Sequence, residues 1–244
     1  MLHRIARPAA TGLFLLGVIS TMALAAFTAW PGFEGLSYFA TGAGYEPYGG
    51  MHCPILMSRQ ETGIVSASFA NPTNEVMQPY YEVEISGRVA SRQLEGQITV
   101  LPHTSQIVAW TVNAGDIDLE PFVFVKMDVL PIGNHGTREA TCGILVADVA
   151  GMSGSQALAS GVGIGLLCLL AGVLVPGLGL TPNEARQFDS EASTNSRRAL
   201  QALGVTSATA LLASLIGWWL LATLLLAVSL LLLVMVLPYA ASGR

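Results

Sequence analysis

Three long stretches of the chain carry no charged residue, and they dominate the pattern of the sequence. Residues 8–30, 149–183 and 199–243 contain no Asp, Glu, Lys or Arg. A helix needs about 20 apolar residues to cross a hydrocarbon core of ~30 Å, and each stretch is long enough. Only helices and closed barrels satisfy all backbone groups in lipid, and the stretches lack the alternation of barrel strands. The pattern predicts transmembrane helices.

The first stretch has two interpretations. It begins after a basic start and contains the small-residue sequence Ala23-Leu24-Ala25, as in a signal peptide cleaved after Ala25. The apolar run nevertheless continues to Trp30, whose indole suits the membrane interface. We therefore favour a retained transmembrane helix at residues 9–30, preceded by a cytoplasmic N-terminus at residues 1–8.

The last stretch is too long for a single crossing. Residues 203–237 would form one helix of about 52 Å at ~1.5 Å per residue. One interpretation is a transmembrane hairpin of helices 199–217 and 220–238, and the other is an interfacial helix followed by a single crossing. The first half carries several Ser, Thr and Gln residues, whereas the second is almost pure Leu, Val and Ala. This asymmetry favours the hairpin, with one inward-facing and one lipid-facing helix.

Residues 51–150 show a different pattern, in which short alternating segments are separated by turn residues. In residues 80–86, Tyr81, Val83 and Ile85 alternate with Glu82 and Glu84. Such alternation, with turns every 8–12 residues, predicts half-buried antiparallel strands. The predicted strands are residues 63–70, 80–86, 97–100, 106–112, 122–129 and 141–146. We expect an all-β, two-layer sandwich of immunoglobulin-like architecture, with a barrel as the alternative.

The distribution of charged residues predicts which side of the membrane each segment occupies. Only 11% of the residues are charged, against about 25% in soluble domains. Residues 31–156 hold thirteen acidic and five basic residues, whereas basic residues precede the first helix and lie within residues 181–198. Because Lys and Arg favour the cytoplasmic side, residues 31–156 are predicted to be extracytoplasmic and 181–198 to form a cytoplasmic loop. The expected location is the plasma (inner) membrane, with several crossings.

Residues 31–50 join the first helix to the sandwich. They combine six Gly with five aromatic residues and only two charges, Glu34 and Glu46. Aromatic residues near a bilayer often rest on the headgroup layer. The segment is predicted to be membrane-proximal, either docked on the membrane or a partner, or packed on its own sandwich.

The three cysteines differ in their predicted roles. Cys53 precedes the first long strand and Cys142 lies in the last, so they bracket the sandwich. Because disulfides persist outside the cytoplasm, we predict that these two residues are bonded. Cys168 lies in the second apolar stretch and is predicted to be a small apolar filler.

The helix at residues 157–180 carries a face of small residues. Ser160, Gly161 and Gly165 include a G-x-x-x-G pattern, which lets helix backbones approach closely in lipid. These three residues are predicted to pack against another helix, in this chain or in another subunit. Aromatic residues near the predicted helix ends are expected at the interface, namely Trp30, Trp218, Trp219 and Tyr239.

Recognised catalytic and cofactor patterns are absent from the sequence. It contains no C-x-x-C, G-x-S-x-G, phosphate-binding loop or H-E-x-x-H pattern, and its four His have no metal-ligand spacing. The acidic sequence Asp116–Glu120 lacks a calcium-loop spacing and is expected to form a solvated turn. We predict no enzyme activity, cofactor or metal.

The predicted partners are the lipid bilayer and other membrane-protein subunits. The apolar stretches contain no Asp, Glu, Lys, Arg or His, which argues against an autonomous pump, channel or coupled transporter. No basic patch is present to neutralise nucleic-acid phosphates. The favoured hypothesis is a non-catalytic accessory or structural subunit of a bacterial multi-subunit membrane complex, docking through its sandwich and its small-residue helix face. The alternative is a membrane-anchored extracytoplasmic binding or sensing module, and no small-molecule ligand is specified.

Overall fold

A computed structural model of the chain describes residues 2–39, 46–130, 137–178 and 191–241. It describes the side chains of residues 11–39, 48–130, 137–172 and 198–235. The chain divides into two compact units. The helical unit comprises Met1–Ala29 and Ala159–Arg244, and the sandwich unit comprises Trp30–Leu158.

Among its described residues, the sandwich unit has nine strands in two sheets. The strands are β1 (Glu46–Pro47), β2 (Met51–His52), β3 (Leu56–Met57), β4 (Gly63–Ala70), β5 (Tyr80–Ile85), β6 (Arg92–Gln97), β7 (Ser105–Val112), β8 (Phe122–Val129) and β9 (Arg138–Val146). The larger sheet has the order β1-β9-β8-β5-β6, with β3 also paired to β9, and the smaller sheet has the order β2-β4-β7. This arrangement confirms the predicted β-sandwich.

The core lies between the two sheets and follows the alternation of the sequence. In β5, the side chains of Tyr81, Val83 and Ile85 are buried, while that of Glu82 is exposed. The smaller sheet contributes Val65, Phe69 and other alternating residues to the same core. Since successive side chains of a strand point to opposite faces, one face of each sheet supplies the core.

The larger sheet is mixed rather than wholly antiparallel. The two-residue strands β1 and β3 both run parallel to β9, and all the long strand pairs are antiparallel. The predicted strand at residues 97–100 is wrong, because β6 ends at Gln97 and Val100 makes only an isolated bridge to Met77. Strand β6 pairs with β5 from Arg92, opposite Ile85, to Gln97, opposite Tyr80. The alternating, half-exposed sequence of β6 has little hydrophobic signal.

Four helices are described: α1 (Leu2–Tyr38), α2 (Gly154–Leu178), α3 (Glu191–Leu215) and α4 (Trp219–Ala241). Helix α1 continues eight residues beyond the predicted end, and α3 begins eight residues before the predicted start. Residues 181–190 of the predicted cytoplasmic loop, 181–198, lie outside the described residues, and residues 191–198 form the start of α3.

Helices α3 and α4 form a hairpin around Gly217. Gly217 has a φ of +81°, a left-handed conformation that glycine adopts without steric cost. The amide of Trp218 donates to the carbonyl of Ala213 at 2.8 Å, and the amide of Gly217 donates to that of Ser214 at 3.1 Å. These two bonds form a Schellman motif, which ends α3 and reverses the chain.

The start of α2 is fixed by three side chains. Ser153 and Gln156 form a reciprocal cap, in which each backbone amide donates to the other residue's side chain at 3.2–3.3 Å. The carboxylate of Glu61 also accepts a hydrogen bond from the amide of Gly154 at 2.9 Å. A negative charge at this position is favourable because a helix N-terminus carries a partial positive charge.

Two described helical segments are long and apolar enough to cross a membrane. They are Thr11–Tyr38 in α1 and Gly154–Gly172 in α2, and Trp219–Met235 in α4 is a shorter apolar segment. Buried helices of soluble proteins and signal sequences share this length and composition. Length and composition alone therefore do not assign these helices to a bilayer.

Candidate interaction surfaces

The predicted disulfide is confirmed. Cys53 and Cys142 are bonded, with their Cα atoms 6.5 Å apart and 89 residues of sequence separation. Cys142 lies in β9 and is nearly buried, while Cys53 lies in the turn between β2 and β3. The bond therefore joins the N-terminal part of the sandwich to its last strand. Such bonds are typical of oxidising compartments, which fits an extracytoplasmic domain.

The outer face of the larger sheet carries a row of carboxylates. Glu95, Glu82, Asp128 and Glu139 lie opposite one another on β6, β5, β8 and β9. Like charges placed directly across strands are destabilising. A depression of about 420 Å³ lies over part of this row. Alternation predicted that Glu82 would face outward, but the alignment of the four residues depends on strand order and could not be predicted from the sequence.

Lys126 partly neutralises this row. Its ammonium lies 3.1 Å from Asp128 and 3.2 Å from Glu139, which is nearly buried. Burial lowers the pKa of Lys126, but the hydrogen bonds to Asp128 and Glu139 outweigh burial and the net shift is upward. Lys126 therefore remains charged at neutral pH. At the other end of the row, the hydroxyl of Tyr80 donates to Glu95, which raises the pKa of Tyr80 to about 12.

The outer face of the smaller sheet is free of charge. None of its three strands contains Asp, Glu, Lys or Arg. Small and apolar side chains line this face, and Ile64 and Ile107 are 64% and 72% exposed. The sequence predicted β4 and β7 as strands, but not that this face would be uncovered. The two outer faces of the sandwich unit thus differ sharply in charge.

The end of α1 packs on the sandwich. The ring of Tyr38 stacks on that of Phe124 with centroids 4.6 Å apart, and its hydroxyl donates to Asp118 Oδ2 at 2.6 Å. Phe124 is on the outward side of β8 but is fully buried. Of the two alternatives for residues 31–50, the described part of the segment shows packing on its own sandwich. Helix α1 therefore contributes residues to both units.

Replacing Tyr38 with Phe is expected to lower the free energy of unfolding by about 1–2 kcal/mol at pH 7, because it removes a hydrogen bond to a carboxylate but keeps the ring. The bond to Asp118 raises the pKa of Tyr38 to about 12 from 10.0. A raised tyrosine pKa means that this stabilisation is complete below pH 10 and is lost as the pH rises to about 12. Denaturant unfolding of both full-length proteins in detergent, from pH 7 to 12, measures the difference. A difference that does not change with pH would contradict the assignment.

The predicted small-residue face contacts α1 within the same chain. A Cβ on Gly161 would lie 3.1 Å from Leu24, and one on Gly165 would lie 3.2 Å from Thr21. Gly17 and Gly172 extend this close crossing of the two helices. Ser160 is exposed, because neighbouring residues of a helix do not share a face. The contact partner of Gly161 and Gly165 is thus an intramolecular helix.

Hydroxyl groups connect the other helices of the helical unit. Ser214 Oγ donates to the carbonyl of Ala25 at 3.1 Å and also contacts the hydroxyl of Thr28. Ser229 Oγ donates to Thr206 Oγ1 at 3.1 Å, which links α4 to α3. The polar residues that favoured a hairpin therefore include groups that pair between helices.

The predicted interfacial aromatic residues differ in their exposure. Trp30 and Trp218 are exposed, Trp219 is half-buried, and the indole of Trp30 donates to Glu34 at 2.8 Å. The side chain of Tyr239 lies outside the described part of the structure. Their placement at a membrane surface stays a prediction.

The acidic sequence Asp116–Glu120 is bound by other residues of the sandwich unit. Asp116 pairs with Arg92 at 3.2 Å, Asp118 accepts from Tyr38, and Glu120 pairs with Arg88. Over the described residues, no group of three or more His, Cys, Asp or Glu is arranged to hold a metal ion. These carboxylates thus hold the loop rather than form a shared site.

Comparison with known proteins gave only remote structural likeness. No protein-family description matches the chain, and no curated protein matches it. Among solved structures, the CARDB domain of the PF1109 protein from Pyrococcus furiosus is similar at 10% identity and a TM-score of 0.30, over 39% of this chain and 87% of that one.

Two glycoside-acting enzymes also show partial similarity. A cycloisomaltooligosaccharide glucanotransferase from Paenibacillus sp. matches at 11% identity and a TM-score of 0.32, over 43% of this chain. A β-glucosidase from Listeria innocua matches at 9% identity and a TM-score of 0.28, over 40% of this chain. The match spans only 14% and 15% of the lengths of these two enzymes.

Proposed function

We propose that the chain is a membrane-anchored, non-catalytic accessory subunit of a bacterial multi-subunit membrane complex, docking through its extracytoplasmic sandwich. The observation that carries the proposal is the exposure of large apolar side chains on the helices. Leu220 is 82% exposed, and the exposed set on α2 and α4 also includes Leu167, Leu224 and Leu231. Monomeric soluble proteins rarely expose apolar surface of this extent, whereas lipid covers it.

The polar groups of the helical unit support this placement. The buried hydroxyls of Thr21, Ser207 and Ser214 all donate to helix carbonyls. Hydroxyl groups in hydrocarbon require such partners because water is absent. In this proposal α1, α2 and the hairpin of α3 and α4 lie in the plasma membrane, with residues 31–156 outside and the residues between α2 and α3 in the cytoplasm. The Cys53–Cys142 bond is consistent with that orientation.

The sandwich is the proposed docking element for other subunits. The Gly161–Gly165 face is occupied by α1 and leaves no need for an external helix there. The sandwich instead presents a partly covered acidic row on the outer face of its larger sheet and an exposed, uncharged outer face on its smaller sheet.

Purification of the tagged full-length chain from its own membranes in a mild detergent tests the proposal. We expect the chain to stay with membranes after alkaline carbonate extraction, and stoichiometric partner subunits to be found by mass spectrometry. Release into the aqueous fraction would contradict the membrane assignment. Recovery without any other protein would contradict the accessory-subunit assignment and favour a free-standing binding module.

A further inference from the structure

Strand β7 is an open edge of the smaller sheet. It pairs with β4 on one side, and in the described structure no strand pairs with its other side. The amide of Asn71 donates to the carbonyl of Thr104 at 2.9 Å, so these two opposed residues form a hydrogen-bonded pair. Hydrogen-bonded and non-hydrogen-bonded pairs alternate along an antiparallel ladder. The backbone amides and carbonyls of Ser105, Ile107 and Ala109 therefore point away from β4.

Arg92 marks one end of this open edge. Its guanidinium donates to the carbonyl of Thr111 at 2.8 Å and pairs with Asp116 at 3.2 Å. The carbonyl of Thr111 is therefore already bonded within the chain. The free part of the edge is the five residues Ser105–Ala109, and all but Val108 are exposed.

The edge lacks the devices that normally prevent strand pairing. Natural edge strands are protected by charged residues, proline or bulges. Ser105–Val112 contains neither a charged residue nor proline, and its register with β4 is continuous over eight residue pairs. Ile107, at the centre of the free part, is 72% exposed. The edge is thus ready to accept another uncharged strand.

We propose that a second copy of this chain occupies the edge, with β7 pairing antiparallel to β7 of the partner copy about a two-fold axis at Ile107. In this register Ser105 of one copy lies opposite Ala109 of the other, and Ile107 lies opposite its own counterpart. Each of the three opposed pairs exchanges two backbone hydrogen bonds, so about six new bonds form. The pairing satisfies the outward backbone groups of all three residues at once.

The distribution of charge favours this surface over the rest of the sandwich for contact between two copies. Residues 31–156 carry a net charge of −8, so two copies repel each other over most of their surfaces. The carboxylate row makes the outer face of the larger sheet especially unfavourable for a second copy. The β2-β4-β7 sheet is free of charge, and pairing through β7 creates a continuous six-stranded sheet. This inference does not depend on the proposed accessory function.

Cysteine cross-linking in native membranes tests the pairing. We would introduce Ile107→Cys into the full-length chain in a Cys168→Ser background, which removes the free thiol of α2. Opposed residues of a hydrogen-bonded pair have Cα atoms about 5.5 Å apart, within disulfide range. Mild oxidation should convert most of the Ile107→Cys protein into a covalent dimer. Val89→Cys, which is 99% exposed but lies between β5 and β6, is the matched control and should remain monomeric.

Further variants test the register of the β7–β7 pair and whether a second copy of the chain occupies the edge. Co-expressed Ser105→Cys and Ala109→Cys chains with different tags should cross-link to each other, whereas Ser105→Cys alone should not. Ile107→Lys should abolish the dimer in size-exclusion chromatography with light scattering, with an unchanged circular dichroism spectrum. Equal cross-linking of Ile107→Cys and Val89→Cys, a Ser105→Cys homodimer, or a cross-link to a different protein would each overturn the proposal.

Discussion

Replacing both Cys53 and Cys142 with Ala is expected to lower the free energy of unfolding of the sandwich by about 4 kcal/mol. The bond closes a loop across 89 residues, and the entropy that it removes from the unfolded chain corresponds to about 4–5 kcal/mol in the loop-closure description. This effect is large because a domain has only about 5–15 kcal/mol of net stability. Denaturant unfolding of the full-length protein in detergent, followed by near-ultraviolet circular dichroism, measures it.

Cys168→Ala is the control for the disulfide prediction. This cysteine is free and lies in α2, outside the sandwich unit. Its replacement should leave the sandwich transition unchanged. Addition of a reductant to the unmodified protein should reproduce the effect of the double substitution. A loss below about 1 kcal/mol would show that the bond adds little to contacts already made by the two strands.

Replacing Gly143 with Ala is expected to separate the end of α1 from the sandwich. A Cβ at this position would lie 1.9 Å from the carbonyl oxygen of Pro31, and backbone atoms cannot move aside as a flexible side chain can. Inserting a methyl group into a close-packed contact costs about 1–3 kcal/mol, and we expect about 3 kcal/mol here. Limited proteolysis should show new cleavage within residues 30–39, together with a lower unfolding midpoint.

Gly49→Ala is the matched control for this prediction. Gly49 is exposed, and a Cβ there would meet no atom within 4 Å. The variant should unfold like the unmodified protein and show no new cleavage. If Gly143→Ala behaved in the same way, the close approach of α1 to β9 would be refuted.

Local alternation predicted the strands that have one buried and one solvated face. In β5, Val83 and Ile85 alternate with glutamates, and the burial of the strand follows that pattern. Phe124 is an exception on β8, because Tyr38 covers it from the face that alternation assigns to solvent. Strand β6 was misplaced because an edge strand of sequence RQLEGQ carries almost no hydrophobic signal.

The extension of α1 could not be predicted from local rules. Pro31 and Gly32 favour the end of a helix, since proline lacks the backbone amide donor and glycine has a low helix propensity. The helix continues because Gly35 and Pro31 fit closely against β9, and Tyr38 is bonded to Asp118. Tertiary contacts here override local preference.

The candidate surfaces also depend on strand order rather than on single strands. The disulfide was predictable, because two cysteines bracket one domain. The alignment of Glu82 with Glu95 and Asp128 requires the order β6-β5-β8. The open edge of β7 requires that no strand of the described structure pairs with its other side. Both facts arise from long-range pairing, which residue periodicity does not specify.

The position of β9 constrains the order in which the chain can be assembled during synthesis. This strand pairs with β8, β1 and β3 and carries Cys142, so β1, β3 and Cys53 lack their partners until the last strand has been synthesised. At a translation rate of about 5–20 residues per second, Cys53 precedes Cys142 by roughly 4–18 s. During that interval the nascent N-terminal half has an unpaired thiol and uncovered apolar strands. The sandwich can therefore be completed, and the Cys53–Cys142 bond closed, only after β9 has been synthesised as far as Val146.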